Sequence, residues 1–424
     1  MAPKAVQLKC YCNEYPWGKQ GSQSVAARLA SKTPGTDFKL DESKPYAEMW
    51  YGTYPDLPAY VLETGENLQD FINKTPDELL GKTVIQRFGQ DLPYLPKVLS
   101  IAKALPLQLH PNKSLASELH RRDPSSFTDP NHKPEIAVAL TKFEAFCGFK
   151  PLNDIEQLIL LEPLQRFLPE VRKPAFDDQT LKHVVQRMLE ASEAEVKQVE
   201  EALGKVDKSA FGKHTNIPEL LPRLQDQYGK TVCQVCFRSQ SVLLISIPQD
   251  PGSLVALITM NYLVLQPGES IYIPADGIHA YLGGDIIECM ARSNNVLNTG
   301  FCPRADRDNV DTFISCLTFT PHDAKEAILP SKPYGRSKNG HTKVYAPPMS
   351  EFNMLATEVP SGASETISAI SGPSSLVCTQ GWGELKVDGK VHEIKEGYIF
   401  FVGQGVDVEY SAKEALQIFT AYVE

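Results

Sequence analysis

No apolar segment in these 424 residues approaches the roughly 20 consecutive residues that cross a bilayer. The opening Met1-Ala2-Pro3-Lys4 runs into polar sequence rather than the apolar core of a signal peptide. A cytoplasmic protein without membrane association is therefore expected. Nine cysteines, an odd number scattered from Cys10 to Cys378, do not make the dense, even framework of a small secreted domain. The Cys233-Gln234-Val235-Cys236 pair has metal-knuckle or redox spacing, but it has no second pair and sits among apolar residues, so inert reduced thiols are expected. Lys and Arg number 42 against 52 Asp and Glu, a net charge of −10, and no basic stripe interleaves with aromatics. That balance excludes a general nucleic-acid surface. It leaves room for an anionic small substrate, which needs only a few cations gathered in one pocket.

What the chain does carry is the composition of a globular protein, 42% hydrophobic and 22% charged. It is too long for one ordinary core, so two or three domains are predicted. Residues 1–150 are rich in Pro, Gly and short β-type runs such as Val98-Leu99-Ser100-Ile101 and Glu135-Ile136-Ala137-Val138-Ala139-Leu140, which predicts an antiparallel sheet with long loops. From Asn153 to about Leu224 apolar residues recur at spacings of three and four, and a surface helix is predicted over 186–202. Strand character returns at Ser241-Val242-Leu243-Leu244-Ile245-Ser246-Ile247 and runs on to Ile271-Tyr272-Ile273. A Pro-, Lys- and Ser-rich stretch from Leu329 to Pro348 reads as a linker, and short strands with turn glycines follow, favouring a second β-sandwich or jelly roll.

A faint internal repeat joins the two β regions. Residues 265–273 and 394–401 both place a turn glycine, Gly268 or Gly397, before an aromatic-aliphatic strand. Eleven residues after Gly268 comes His279, whereas the same offset after Gly397 reaches Val408. Only the first copy would keep a metal ligand there.

Gln108 and His110 alternate within Pro106-Leu107-Gln108-Leu109-His110-Pro111, an apolar stretch of strand character, so both side chains share one face about 7 Å apart. Two further metal-capable segments are Asn131-His132-Lys133-Pro134-Glu135 and Asp276-Gly277-Ile278-His279-Ala280-Tyr281. A buried divalent ion takes about four ligands, and Gln108, His110, Glu135 and His279 are the candidates. Two imidazoles, a carboxylate and an amide oxygen suit Zn²⁺, with Mn²⁺, Fe²⁺ and Co²⁺ also compatible.

These segments, with Tyr15-Pro16-Trp17-Gly18-Lys19, Ala47-Glu48-Met49-Trp50-Tyr51-Gly52-Thr53 and the run from Asp276 to Met290, occur in an order that closely resembles the type I mannose-6-phosphate isomerases (phosphomannose isomerases), zinc enzymes of the cupin superfamily. The resemblance covers essentially the whole chain. It implies a mainly β fold with a helical insertion: a metal-binding cupin domain from residues 1–150 and 241–328, a helical domain at 151–240, and a metal-free C-terminal jelly roll at 340–424. It also implies one Zn²⁺ per chain held by Gln108, His110, Glu135 and His279. The implied reaction interconverts mannose 6-phosphate and fructose 6-phosphate through a cis-enediol, in a monomer serving GDP-mannose biosynthesis and protein glycosylation. A general base must reach the C1 or C2 proton. Lys133, Glu288 and Glu48 are candidates, and the resemblance places Lys133 in the substrate pocket. Lys97 matches a pocket lysine suited to phosphate, and Tyr281 either bonds sugar hydroxyls or packs.

The stretch after Met290 departs from that pattern. Where the family carries Ser-Asp-Asn followed by Val-Arg-Ala-Gly, this chain has Ser293-Asn294-Asn295-Val296-Leu297-Asn298-Thr299-Gly300. Asn294 thus replaces an acid and Asn298 an arginine, and an asparagine supplies neither charge nor a base. Pro106 stands where a serine near the phosphate is usual. Arg304 either takes over the stabilising charge, its planar fork suiting phosphate, or forms a surface ion pair with Asp306 or Asp308. These departures keep two alternatives open: a zinc-binding relative with another sugar substrate or no turnover, and a non-catalytic bicupin.

Overall fold

The computed structural model describes residues 2–171, 175–228 and 250–424. Its spine is the strand His279–Ala291, thirteen residues long. The first half pairs antiparallel with Phe143–Phe149 and, through His279, with Leu107–Leu109. From Gly284 onward its partners are Tyr94–Ile101 on one edge and Glu135–Ala139 on the other. The change of partner falls at Gly283 and Gly284, where the register shifts. Gly284 has φ +124°, and a Cβ there would lie 2.6 Å from the Lys142 carbonyl oxygen. Only glycine turns the strand at this point, carrying it from one wall of a barrel to the next.

Side-chain alternation then sorts these strands into two faces. Leu99, Ile101, Ala137, Ala139, Tyr281 and Ile286 fill the barrel interior. Val98, Ile136, Val138, Ile287 and Cys289 point the other way, into a core shared with Val377, Ile399, Phe401, Phe419 and Ala421 of the C-terminal half. Those residues belong to an eight-stranded sheet that backs onto the first barrel, with a four-stranded sheet closing the second jelly roll. The expected mainly β architecture with a helical addition is therefore what the chain forms.

The internal repeat is structural. Gly268 (φ +85°) and Gly397 (φ +87°) both make left-handed turns between strands, Met260–Leu265 to Ser270–Ile273 in one copy and Lys390–Lys395 to Ile399–Val402 in the other. His279 and Val408 each open the next strand of their copy.

Several elements differ from the sequence-based expectation. The predicted helix over 186–202 is two helices, Asp178–Leu189 and Glu193–Leu203, because the Ser192 hydroxyl caps the second by accepting from the Glu195 amide. The interval expected to continue as strand contains the helix Pro251–Thr259, buried at every residue and packed on the helical block. Such an all-apolar run has no periodicity by which to tell helix from strand. The linker reading for 329–348 also fails: Lys332–Pro333 pairs with Thr342–Tyr345 and adds an edge to the eight-stranded sheet, where proline is tolerated. The N-terminal strand Ala5–Lys9 joins that same C-terminal sheet beside Ile399–Val402. Residues 241–247 and the Cys233/Cys236 pair lie outside the described residues. The described cysteines are all buried free thiols. No helix among the described residues is long and apolar enough to cross a membrane.

Because Ile287 sits on the spine strand and faces the core between the two barrels, Ile287→Ala should lower unfolding stability by about 2–5 kcal/mol. Denaturant melts measure this, and a loss within about 0.5 kcal/mol, the size of an ordinary surface change, would mean that this core is not close-packed.

Candidate active site

The barrel interior turns polar at one end. His110, the first residue past the strand Leu107–Leu109, and His279, at the head of the spine strand, are both fully buried and converge on Glu135. His110 Nε2 lies 3.3 Å from Glu135 Oε1, and His279 Nε2 lies 3.6 Å from Glu135 Oε2. The Gln108 amide reaches to 3.2 Å from His279 Nε2. The ligand atoms of His110, Glu135 and His279 all lie within 4.8 Å of one another. Thus all four sequence-selected ligand candidates meet, although His110 does so from just beyond the strand.

The tautomers follow from the outward-facing nitrogens. His110 Nδ1 donates to the Asn295 carbonyl at 2.8 Å, and His279 Nδ1 donates to the Gly277 carbonyl at 3.0 Å. Each ring therefore turns a lone pair at Nε2 toward the carboxylate. His110 Nε2 is buried without a hydrogen-bond partner. Burial, and secondarily Lys133, pushes the His110 pKa down to about 4, and burial lowers that of His279. Burial alone would raise the pKa of Glu135, but His110 and Lys133 outweigh it and hold the carboxyl well below the usual range. Lone pairs facing a carboxylate at this distance repel unless a cation or proton lies between them, and a proton is disfavoured near neutrality. Two imidazoles, a carboxylate and an amide that can present its oxygen are a donor set for a divalent metal such as zinc.

Beside these residues a cavity of about 380 Å³ is lined by Tyr15, Glu48, Trp50, Lys97, Lys133 and Asn294, among others. The alternation that buries Leu99 and Ala137 inside the barrel also brings Lys97, Glu135 and Glu288 to the interior. Lys97 Nζ stands 3.3 Å from Glu288 Oε2 and 4.5 Å from the centre of the Trp50 ring. Trp50 Nε1 donates to Glu48. Burial would lower the pKa of Lys97, but Glu48, Glu288 and Glu135 together raise it, so its charge is secure. Glu288 is pushed up to about 7 by burial and then by Glu135, against the pull of Lys97. It can exchange a proton near neutrality. Lys133 Nζ lies 3.5 Å from Glu135 Oε1.

Other expected residues are placed differently. Tyr281 donates to Glu135 Oε2 at 3.3 Å and packs edge-on against Phe143, so it braces the carboxylate from inside the barrel. Asn298 pairs in register with Gln108, and its Oδ1 is buried without a partner. Pro106 precedes the strand and is half-buried. The structure does not bring Arg304 to the site. Its side chain is 83% exposed and lies 3.6 Å from Glu193 of the helical block, not from Asp306 or Asp308. A catalytic part for Arg304 finds no support in this geometry. Sequence reasoning did not single out Asn13, Asp56 or Leu57, which also line the cavity. They sit in loops or a two-residue strand with no chemical spacing to mark them. His132 turns away from the cluster to Glu351 of the C-terminal half, Nε2 to Oε1 at 2.7 Å.

Comparison with known proteins finds matches along nearly the whole chain. Residues 5–152 match the family described as Phosphomannose isomerase type I, catalytic domain, and residues 344–390 match Phosphomannose isomerase type I C-terminal. The chain is similar to the mannose-6-phosphate isomerase of Aspergillus fumigatus, 36% identical over 455 residues that cover 99% of this chain and 96% of that protein. It is likewise similar to the mannose-6-phosphate isomerase of Schizosaccharomyces pombe, 37% identical over 426 residues and 99% of each chain. A crystal structure of mannose 6-phosphate isomerase from Salmonella typhimurium, bound to substrate (f6p) and a zinc atom, has the same fold, with a TM-score of 0.79 at 23% identity over 100% of both chains.

The His132–Glu351 pair predicts a pH signature. Burial would raise the pKa of Glu351, but the hydrogen bond and charge of His132 prevail and bring it down to about 2. A depressed carboxyl pKa contributes stability that is complete above the unfolded value near 4.5 and fades as pH falls toward 2. Glu351→Gln should therefore be less stable than the parent protein at pH 7, with the gap narrowing below pH 4.5. Urea melts across that range check this, and a gap independent of pH would remove the ion pair as its source.

Proposed function

The chain belongs to the type I phosphomannose isomerase family, and on that footing we propose that it interconverts mannose 6-phosphate and fructose 6-phosphate as a zinc-dependent aldose-ketose isomerase, through a cis-enediol. The observation that carries this reading is the meeting of two imidazole lone pairs with the Glu135 carboxylate beside a cavity furnished with two lysines. Gln108, His110, Glu135 and His279 would hold one Zn²⁺ per chain. When bound, the ion would supply a fixed positive charge to stabilise negative charge developing on a sugar oxygen.

The chain's own residues supply the rest. Lys97 gives the cavity a secure positive charge that an anionic sugar can meet. Glu48 and Glu288, with Lys97 between them, can hold sugar hydroxyls. Lys133, beside Glu135, is the group we assign to moving the proton between C1 and C2. A second reading, a zinc-binding relative with a different sugar substrate or none, is favoured by one observation. Asn298 leaves its Oδ1 buried and unpartnered opposite Gln108, where the family pattern has arginine.

A coupled assay of the purified protein with mannose 6-phosphate, before and after chelation, separates these readings. Turnover that chelation abolishes and added Zn²⁺ restores is expected, whereas a zinc-loaded protein without turnover would favour the second reading. Lys133→Met should lower kcat by about 10²–10⁴-fold, the usual scale for losing a general base, while zinc stays bound. Arg304→Ala, an exposed change, should leave kcat/KM within about twofold. A loss as large as that of Lys133→Met would instead place Arg304 in the reaction.

A further inference from the structure

Asp129 touches neither the ligand atoms nor the cavity, yet its carboxylate gathers the two loops on which the site depends. Oδ1 accepts from the Asn131 amide at 2.9 Å, from Ser293 Oγ at 2.9 Å and from Asn295 Nδ2 at 3.3 Å. Oδ2 accepts from the Asn294 amide at 2.9 Å. The Asp129 backbone carbonyl takes a further bond from Asn295 Nδ2 at 2.7 Å. Asn131 extends the clasp: its carbonyl accepts from Asn295 Nδ2 at 2.9 Å and lies 3.1 Å from Ser293 Oγ, where it competes with Asp129 for the single hydroxyl proton, and its own Nδ2 donates to the Arg292 carbonyl.

The two loops held this way are not arbitrary. The Asn295 backbone carbonyl is the acceptor that fixes the His110 tautomer and aims its Nε2 at Glu135. The other loop, 131–135, ends in Lys133 and Glu135 themselves. Ser293 and Asn295 are buried, so a loosened clasp would expose or orphan polar groups as well as turn the imidazole. The two carboxylate oxygens together offer acceptor sites to all four of these donors, which a side-chain amide cannot do.

We propose that Asp129 is a positioning residue for the metal centre: through Asn295 it orients His110, and through Asn131 it sets the loop that delivers Lys133 and Glu135. The inference rests on reading His110 and Glu135 as metal ligands and goes beyond it, since Asp129 itself binds nothing.

The test uses the full-length protein and reads zinc affinity by competition with a chromogenic chelator, the visible absorption of the Co²⁺-substituted form, and the melting temperature of the metal-stripped form. Asp129→Asn places an amide nitrogen among donors. It should weaken Zn²⁺ binding about 10–100-fold, the usual scale for partners behind a ligating histidine, and shift the Co²⁺ spectrum. Ser293→Ala removes a single donor and should weaken binding in the same direction by less, and it decides the matter if Asp129→Asn folds poorly. Asp123→Asn is the control. Asp123 makes the same kind of short-range bonds, to Ser125 and Ser126, but has no path to His110. Its substitution should leave affinity unchanged. If Ser293→Ala and any folded Asp129→Asn protein bind Zn²⁺ as tightly as the parent, with an unaltered Co²⁺ spectrum, Asp129 is only a loop staple and the proposal falls. If the parent protein binds no Zn²⁺, it is the ligand reading that fails.

Discussion

The period-two alternation of one strand governs both the stability and the chemistry of this protein. His279–Ala291 presents one row of side chains to the barrel interior and the other first to the core of the helical block, through Ala280 and Leu282, and then to the core between the barrels, through Ile287 and Cys289. Glu288 lies between Ile287 and Cys289, so the residues that fasten the C-terminal half sit beside a charged group of the site. A shift of one residue in register would send that charge into the apolar core and the apolar residues into the cavity. The bend at Gly283 and Gly284 lets the same strand reach from His279 at the ligand cluster to Met290 on the cavity wall.

Burying so much charge is costly, and the arrangement of the site answers that cost. Glu48, Glu135 and Glu288 surround Lys97 and Lys133, and the Trp50 ring lies against the Lys97 ammonium. With Asp56 also on the cavity wall, carboxylates outnumber ammonium groups and leave an excess of negative charge. A divalent cation would offset that excess and place positive charge where a sugar oxygen can meet it. Burial first, and the charge of Glu135 second, push Glu288 up to about 7.

Much of this was legible in the sequence because it lies in short ordered motifs. Gln108, His110, Glu135 and His279 were identified from residue type and segment order, and the paired turns at Gly268 and Gly397 from the repeat. What escaped has physical reasons. The break between the helices at Ser192 was hidden by a continuous apolar period, though Ser192 and Glu195 carry a capping signature. The helix Pro251–Thr259 is apolar on all sides, so no face announced it. Arg304 was weighed by its distance along the chain from Asn298, and chain distance does not report direction. Its guanidinium points to Glu193. Asp129 and Glu351 act through partners more than 160 residues away, a relation that only the fold supplies.

The strand Ala5–Lys9 lies between Ile399–Val402 and Tyr60–Val61, and the two early strands, Ala5–Lys9 and Tyr60–Val61, extend a sheet whose other strands come from the C-terminal part of the chain. On a ribosome, residues 5–9 are made soon before Tyr60–Val61, their partner on one side, but long before Ile399–Val402, their partner on the other. The second barrel therefore cannot close as an autonomous late unit. The sheet is completed by strands from much earlier in the chain, which leaves one edge of Ala5–Lys9 unpaired until Ile399–Val402 is made.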